Sequence, residues 1–211
     1  MENSKIKLIL ASGSPRRKEL LGHLRIPFEI RVKETSEDSD ATDPLLFSQE
    51  IAERKGQNVL QDLLHTQGGP YLVVSADTIV SLKGRIYGKP RDRSEARTFL
   101  TELSGQTHSV FTAVSMHLYF QQTAYKSSFV EETKVTFNKI SNDLMERYLD
   151  TGDSLDKAGA YGIQGPSLTF VSKVEGDYAN VVGFPLARFI LEARHFLNPF
   201  FPHEDIWSNL F

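Results

Sequence analysis

The sequence predicts an α/β protein built on a mixed sheet, and three observations carry that expectation. Apolar runs of strand length alternate with segments of helical period, the pattern of sheet-and-helix layering. Hairpin signals interrupt the alternation, around Lys83-Gly84 and at residues 121–124, so a purely parallel sheet does not fit. Finally, 211 residues, 40% hydrophobic and 24% charged, suffice for one large domain or two closely packed lobes with a full core.

Each element has a local reason. Residues 6–11 read as a buried strand and Ser12-Gly13-Ser14 as a turn. Ser14 before Pro15 is an N-cap followed by proline at the first helical position, opening a helix to about Gly22. A strand at 28–32 leads into an acid-rich loop, 33–43. Asp43-Pro44 repeats the cap-plus-proline start for a helix to about His65, striped with Phe47, Ile51, Val59 and Leu63. Residues 71–76 form a buried strand, and 78–82 pairs with 85–87 as a hairpin. Asp92 and Glu95 make a capping box for a helix with Ala96, Phe99, Leu100 and Leu103 on one face, stopped by Gly105. Long strands follow at about 107–119 and 125–138, then a helix from Ser141 to about Asp150. Strand signals return at 168–174, and an amphipathic helix covers about 185–197 with Leu186, Ile190, Ala193 and Leu197. The tail, 198–211, holds four aromatics and two prolines without a period, and is set apart from a main domain of 1–197.

Composition excludes several classes of function. There is no cysteine, so disulfides, Cys-ligated zinc and thiol catalysis are out. The histidines at 23, 65, 108, 117, 195 and 203 form no close ligand pair, so a metal would be a hard cation held by oxygen. A net charge of −3 argues against a nucleic-acid coat but leaves room for a small phosphorylated ligand. The apolar run at 8–11 is too short to cross a membrane or form a signal core, and the expected location is the cytoplasm.

Six stretches are candidates for chemistry. In Ser12-Gly13-Ser14-Pro15-Arg16-Arg17-Lys18, amides at a helix start and three cations make either a phosphate cradle or a capped helix with solvated charges. Lys55, four residues from Ile51 and from Val59, either snorkels from an apolar stripe or meets an anion. Asp77, in Ser75-Ala76-Asp77-Thr78 at the end of a buried strand, caps a turn or else holds a metal or activates water. Lys89 is pinned between Gly88 and Pro90. The stretch 156–165 interleaves glycines with Asp, Lys, Tyr and Gln and reads as a binding loop. The acids of 33–43 are solvated, or supply metal ligands from Glu34, Glu37 or Asp38.

The motifs running from Ser12 to Leu21, Ala76 to Thr78, Gly88 to Pro90, Leu103 to Val110 and Asp156 to Gly165 together resemble the Maf family, over about residues 6–196. The resemblance implies a mixed curved sheet with two lobes around a cleft, similar to the inosine triphosphate pyrophosphatases. It implies hydrolysis of a nucleoside triphosphate, of the dTTP and UTP branch, to the monophosphate and pyrophosphate with Mg or Mn. It makes Asp77 the proton acceptor, places Ser14, Arg16 and Arg17 at the phosphate turn, sets Lys55 and Lys89 on the phosphates, and puts Gln164 with Arg16 and Thr78 at the base. Its metal glutamate aligns with Glu37 beside Asp77, with Ser36 where a second acid is usual, and Ser75 stands where glycine is usual. A homodimer and no membrane or nucleic-acid partner are further expectations. The competing class is a regulatory interaction protein acting in septum formation, which a pyrophosphate-release assay separates from an enzyme.

Overall fold

The computed structural model describes residues 6–66 and 69–202. Its strands are β1 (Lys7–Leu10), β2 (Glu29–Ile30), β3 (Tyr71–Leu82), β4 (Arg85–Tyr87), β5 (Thr107–Phe120), β6 (Thr123–Phe137) and β7 (Val171–Glu175). They form one sheet in the order β2-β1-β3-β5-β6-β7, with β4 paired to β3. β1 runs parallel to β2 and β3, and every other pair is antiparallel, so the sheet is mixed. The helices are α1 (Pro15–Gly22), α2 (Pro44–Thr66), α3 (Arg93–Leu103), α4 (Asn142–Asp150), α5 (Tyr178–Val182) and α6 (Leu186–Leu197).

The helix starts follow the capping chemistry. Ser14 Oγ accepts from the Arg17 amide, and Asp43 Oδ1 accepts from the Leu45 and Leu46 amides at 2.8 and 3.1 Å. Asp92 caps α3 through the Glu95 amide at 2.8 Å, but Glu95 returns to the Arg91 amide at 2.7 Å, one residue beyond the expected partner. Lys83 and Gly84 both have positive φ, +52° and +83°, as a two-residue hairpin loop with the twist of its strands requires. Gln121 and Gln122 repeat this at +49° and +63° without a glycine, held by the long β5–β6 ladder on either side.

The structure redraws some elements. β3 does not break at Asp77, because it pairs with β5 from Tyr71↔Tyr119 to Ser81↔Ser109 and the ladder overrides the buried carboxylate. Asp77 therefore lies inside a strand and not at its end. Residues 168 and 169 belong to a short 3-10 turn, Pro166–Thr169, and β7 starts only at Val171. The five-residue α5, capped by Asp177, is too short to show a period in the sequence.

Alternation along the strands divides the core. Leu8, Leu10, Leu72 and Val74 face α1 and α6, while Ile9, Tyr71 and Val73 face Val59, Leu60 and Leu63 of α2. A third cluster, including Leu100, Phe137, Tyr148 and Phe170, packs α3 and α4 on the far end of the sheet. Each such side chain contributes about 1.5–3 kcal/mol by leaving water. At the start of the tail, Phe200 and Phe201 pack on Phe120 with ring centroids 6.5 and 5.0 Å away. Trp207 and Phe211 lie outside the described residues.

Candidate active site

A notch in the sheet makes the site. β1 leaves β3 at the pair Leu10↔Val74, and β4 joins the same edge only at Tyr87↔Val80. Between them, residues 75–79 are laddered to β5 on one side and to neither strand on the other. Asp77 and Thr78 are consecutive, so their side chains leave β3 on opposite faces. Through the notch both open on one cleft of about 860 Å³, walled by α1, α2, the 33–43 loop and the glycine-rich 156–165 loop.

On the α2 face, Lys55 meets two carboxylates. Its Nζ lies 2.7 Å from Asp77 Oδ1 and 2.6 Å from Glu37 Oε1. The lysine on the apolar stripe thus has anions to meet, with its side chain only 18% exposed. Lys89 stands further out, 3.8 Å from Glu37 Oε2. Burial raises the Glu37 carboxyl pKa, but the hydrogen bond and charge of Lys55, helped by Lys89 and Arg17, outweigh it and hold the group below its ordinary value.

Of the three candidate acids in the loop, Glu37 is the one that reaches Lys55. Arg54 on α2 fixes it there by donating to the Ser36 and Asp38 carbonyls at 3.0 and 2.7 Å. Ser36 and Asp38 instead bond each other at 2.8 Å. Ser75 keeps its place because its buried hydroxyl donates to the Ala52 carbonyl at 2.6 Å, tying β3 to α2. Among the described residues, no group of three or more His, Cys, Asp or Glu side chains is placed to hold a metal ion. Glu37 and Asp77 nevertheless bring oxygens to one cation, the Lys55 ammonium. Two carboxylates, with substrate phosphates and water completing the shell, is the donor set Mg²⁺ ordinarily takes.

On the other face is the basic turn. Arg17 does not point freely into the cleft: its Nε donates to the Gly183 carbonyl at 2.9 Å, Nη1 to Ser12 Oγ at 3.2 Å and Nη2 to Thr78 Oγ1 at 3.0 Å. Three of its five N–H groups are thereby used. Burial lowers its pKa against the pull of Asp77. Arg16 reaches across to Asp156 at 3.5 Å, joining α1 to the glycine-rich loop. Within that loop Lys157 binds Asp153 and Asp156 at 2.8 and 2.7 Å, which makes it an anchor and leaves Gln164 exposed on the cleft wall. Gly159 permits the approach, with φ +66° and space so tight that a Cβ would stand 2.8 Å from Val80. Asp153 and the Gly183 carbonyl escaped the sequence reading, and no local spacing marks them.

Comparisons agree with this picture. Residues 7–196 match the family model described as Maf-like protein. The chain is 44% identical over 181 residues to a dTTP/UTP pyrophosphatase of Deinococcus radiodurans, covering 86% of this chain and 88% of that one. Proteins of the same name from Carboxydothermus hydrogenoformans and Bacillus cytotoxicus are 41% and 42% identical, each over 90% of this chain and 98% and 95% of their own.

Proposed function

Because the chain belongs to the Maf family, we propose that it is a pyrophosphatase hydrolysing dTTP and UTP, and related pyrimidine nucleotides, to the monophosphate and pyrophosphate. The observation that carries the reading is the meeting of Asp77, Lys55 and Glu37 in the notch, facing residues 12–17 across one cleft.

Breaking the α–β anhydride requires neutralised phosphate charge and an oriented water. Water adds to phosphorus, the bridging oxygen leaves with pyrophosphate, and the water's proton passes to Asp77 as general base. Lys55 and Lys89, freed from Glu37 and Asp77 by the incoming anion, bind phosphate oxygens. The Ser14 turn and Arg16 receive the remaining phosphate charge, relieving the conflict of cations with the helix dipole. Arg17 adds long-range positive charge and holds the turn to Thr78. Glu37 and Asp77 would hold a divalent cation, Mg or Mn, which when bound withdraws charge from phosphate oxygens.

Gln164 and Thr78 with Arg16 face the base. A glutamine amide offers one donor and one acceptor, matching a uracil or thymine edge, which cytosine reverses. Residues 1–197 act as the catalytic domain with 198–211 appended. On this reading the enzyme acts in the cytoplasm, as a homodimer that binds neither nucleic acid nor membrane; no helix among the described residues is long and apolar enough to cross a membrane.

Pyrophosphate release over a panel of nucleotides, with and without Mg²⁺, tests the reading. We expect dTTP and UTP to lead, and Asp77→Asn to lower kcat by about 10²-fold in a folded protein. Near-normal turnover by Asp77→Asn, or equal hydrolysis of ATP, GTP, CTP and UTP, would overturn it.

A further inference from the structure

On the side of β3 away from Lys55, Thr78 belongs to a chain of hydrogen bonds that the hydrolysis itself does not use. Thr78 Oγ1 accepts from Arg17 Nη2 at 3.0 Å and lies 2.9 Å from Thr112 Oγ1, its fully buried register partner on β5. Thr112 Oγ1 is in turn 2.9 Å from the carbonyl oxygen of Asn180, on α5. Asn180 is also fully buried, and its side-chain amide donates to the Val110 carbonyl and Thr133 Oγ1, each at 3.0 Å.

The hydrogens in this chain can be counted. A carbonyl oxygen carries none, so the Thr112–Asn180 contact uses the single hydroxyl hydrogen of Thr112. The Thr78–Thr112 contact must then use the hydrogen of Thr78. Arg17, a donor only, occupies one Thr78 lone pair. What Thr78 retains for the cleft is one lone pair and no hydrogen.

With Thr78 already placed at the base by the family resemblance, we propose that Thr112 and the Asn180 carbonyl are its positioning partners: they fix the Thr78 hydroxyl as an acceptor only, so that it takes a hydrogen-bond donor from the nucleoside half of the substrate. This rests on the dTTP/UTP reading and deepens it. The triphosphate oxygens are themselves acceptors and gain nothing from that lone pair, so the group it suits is a donor on the nucleoside half. The donors available there are N3–H of uracil or thymine and a sugar hydroxyl. Cytosine carries a bare acceptor at N3. Neither Thr112 nor Asn180 lines the cleft, so both are positioning residues acting through Thr78.

The test compares dTTP with N3-methyl-dTTP and with 3′-deoxy-dTTP, each hydrolysed by the unmodified protein, Thr78→Val, Thr112→Val and Thr112→Ser, with melting temperatures as a check on folding. One analogue should lose about tenfold in kcat/KM against dTTP, mainly in KM, and which one it is assigns the donor to the base or the sugar. Thr78→Val and Thr112→Val should shrink that contrast by making dTTP itself poorer, while Thr112→Ser, which keeps the hydroxyl, should retain it. The methyl group adds bulk, so its penalty counts only to the extent that Thr78→Val erases it. If Thr112→Val does not fold, the contrast between Thr78→Val and Thr112→Ser decides. Full turnover of both analogues, an undiminished penalty in Thr78→Val, or unmodified behaviour of folded Thr112→Val would each overturn the proposal. Absence of dTTP turnover in the unmodified protein would instead strike the assigned reaction, and titration calorimetry of the same nucleotides would then read the same contrasts.

Discussion

Lys55 shows what one residue in an uncomfortable place can reveal. Its position on an apolar stripe is visible in the spacing to Ile51 and Val59, and such a lysine must reach water or meet an anion. Here it meets Glu37 and Asp77 at 2.6 and 2.7 Å. Replacing it with Met would leave two carboxylates facing the phosphates with one cation fewer. A charge-assisted hydrogen bond is worth about 1.5–3 kcal/mol, so Lys55→Met should lower kcat/KM for dTTP at least tenfold. A variant that loses melting temperature but keeps its kinetics would mean that the lysine serves the fold alone. Gln164 allows a second substitution. Gln164→Glu puts an acceptor where the amide offers a donor, and should reduce kcat/KM for UTP far more than its stability, since Gln164 is exposed. Unchanged selectivity between UTP and CTP would remove Gln164 from base recognition. Asp77, Lys55 and Lys89 are candidates from strand, stripe and Gly-Pro context, each with a plain structural alternative, and the family resemblance gives them their roles. Thr112 and Asn180 are not, because their relation to Thr78 depends on the β3–β5 register and on where a five-residue helix lands.

At the scale of elements, the caps and breakers were readable and the long-range pairings were not. Ser14-Pro15, Asp43-Pro44, Asp92 and Ser141 each start a helix where short-range hydrogen bonding demands it. β3 read as two strands because Asp77 interrupts its apolar run, and only β5 supplies the reason it continues. The same strand explains Gly159. A residue there would need φ +66° and would drive its Cβ to within 2.8 Å of Val80. Gly84 has φ +83° as well, but nothing stands within 4 Å of its missing Cβ. Gly159→Ala should therefore cost about 2–3 kcal/mol, backbone strain plus overpacking, and Gly84→Ala only about 1 kcal/mol. Urea unfolding of the two variants measures the difference. Equal losses would show that Val80 gives way and that the approach of the 156–165 loop to β3 is loose. If the loop is as tightly placed as this, Gly159→Ala should also weaken nucleotide binding by shifting Gln164.

At the scale of the whole molecule, sensitivity to mild acid centres on two buried histidines of β5. His108 and His117 lie on opposite faces of that strand, each 2% exposed, so one faces the core under α3 and α4 and the other the packing of α2. His108 Nε2 is 2.8 Å from the Tyr161 hydroxyl while its Nδ1 has no partner, and His117 Nε2 is 2.9 Å from Ser115 Oγ. Burial lowers both to about 4, and for His117 the charge of Lys126 adds to the effect while Glu53 opposes it. An unfolded histidine titrates near 6.5. Between those values the unfolded chain binds protons that the folded chain refuses, so stability rises with pH across the window and is lost on acidification. At pH 5 each histidine should have removed about 2 kcal/mol relative to pH 7.5. Carboxylates whose pKa is lowered, such as Glu37, Glu53 and Asp156, also weaken the fold on acidification, but mainly below their ordinary range near 4. The interval from pH 6.5 to 5 thus isolates the histidines. Urea unfolding across it should show a falling midpoint at constant m-value, and His117→Gln should remove about half of the slope. A midpoint that stays level from pH 7.5 to 5 would mean that β5 accepts a proton in place, and that the core on each face of the sheet is open enough to solvate an imidazolium.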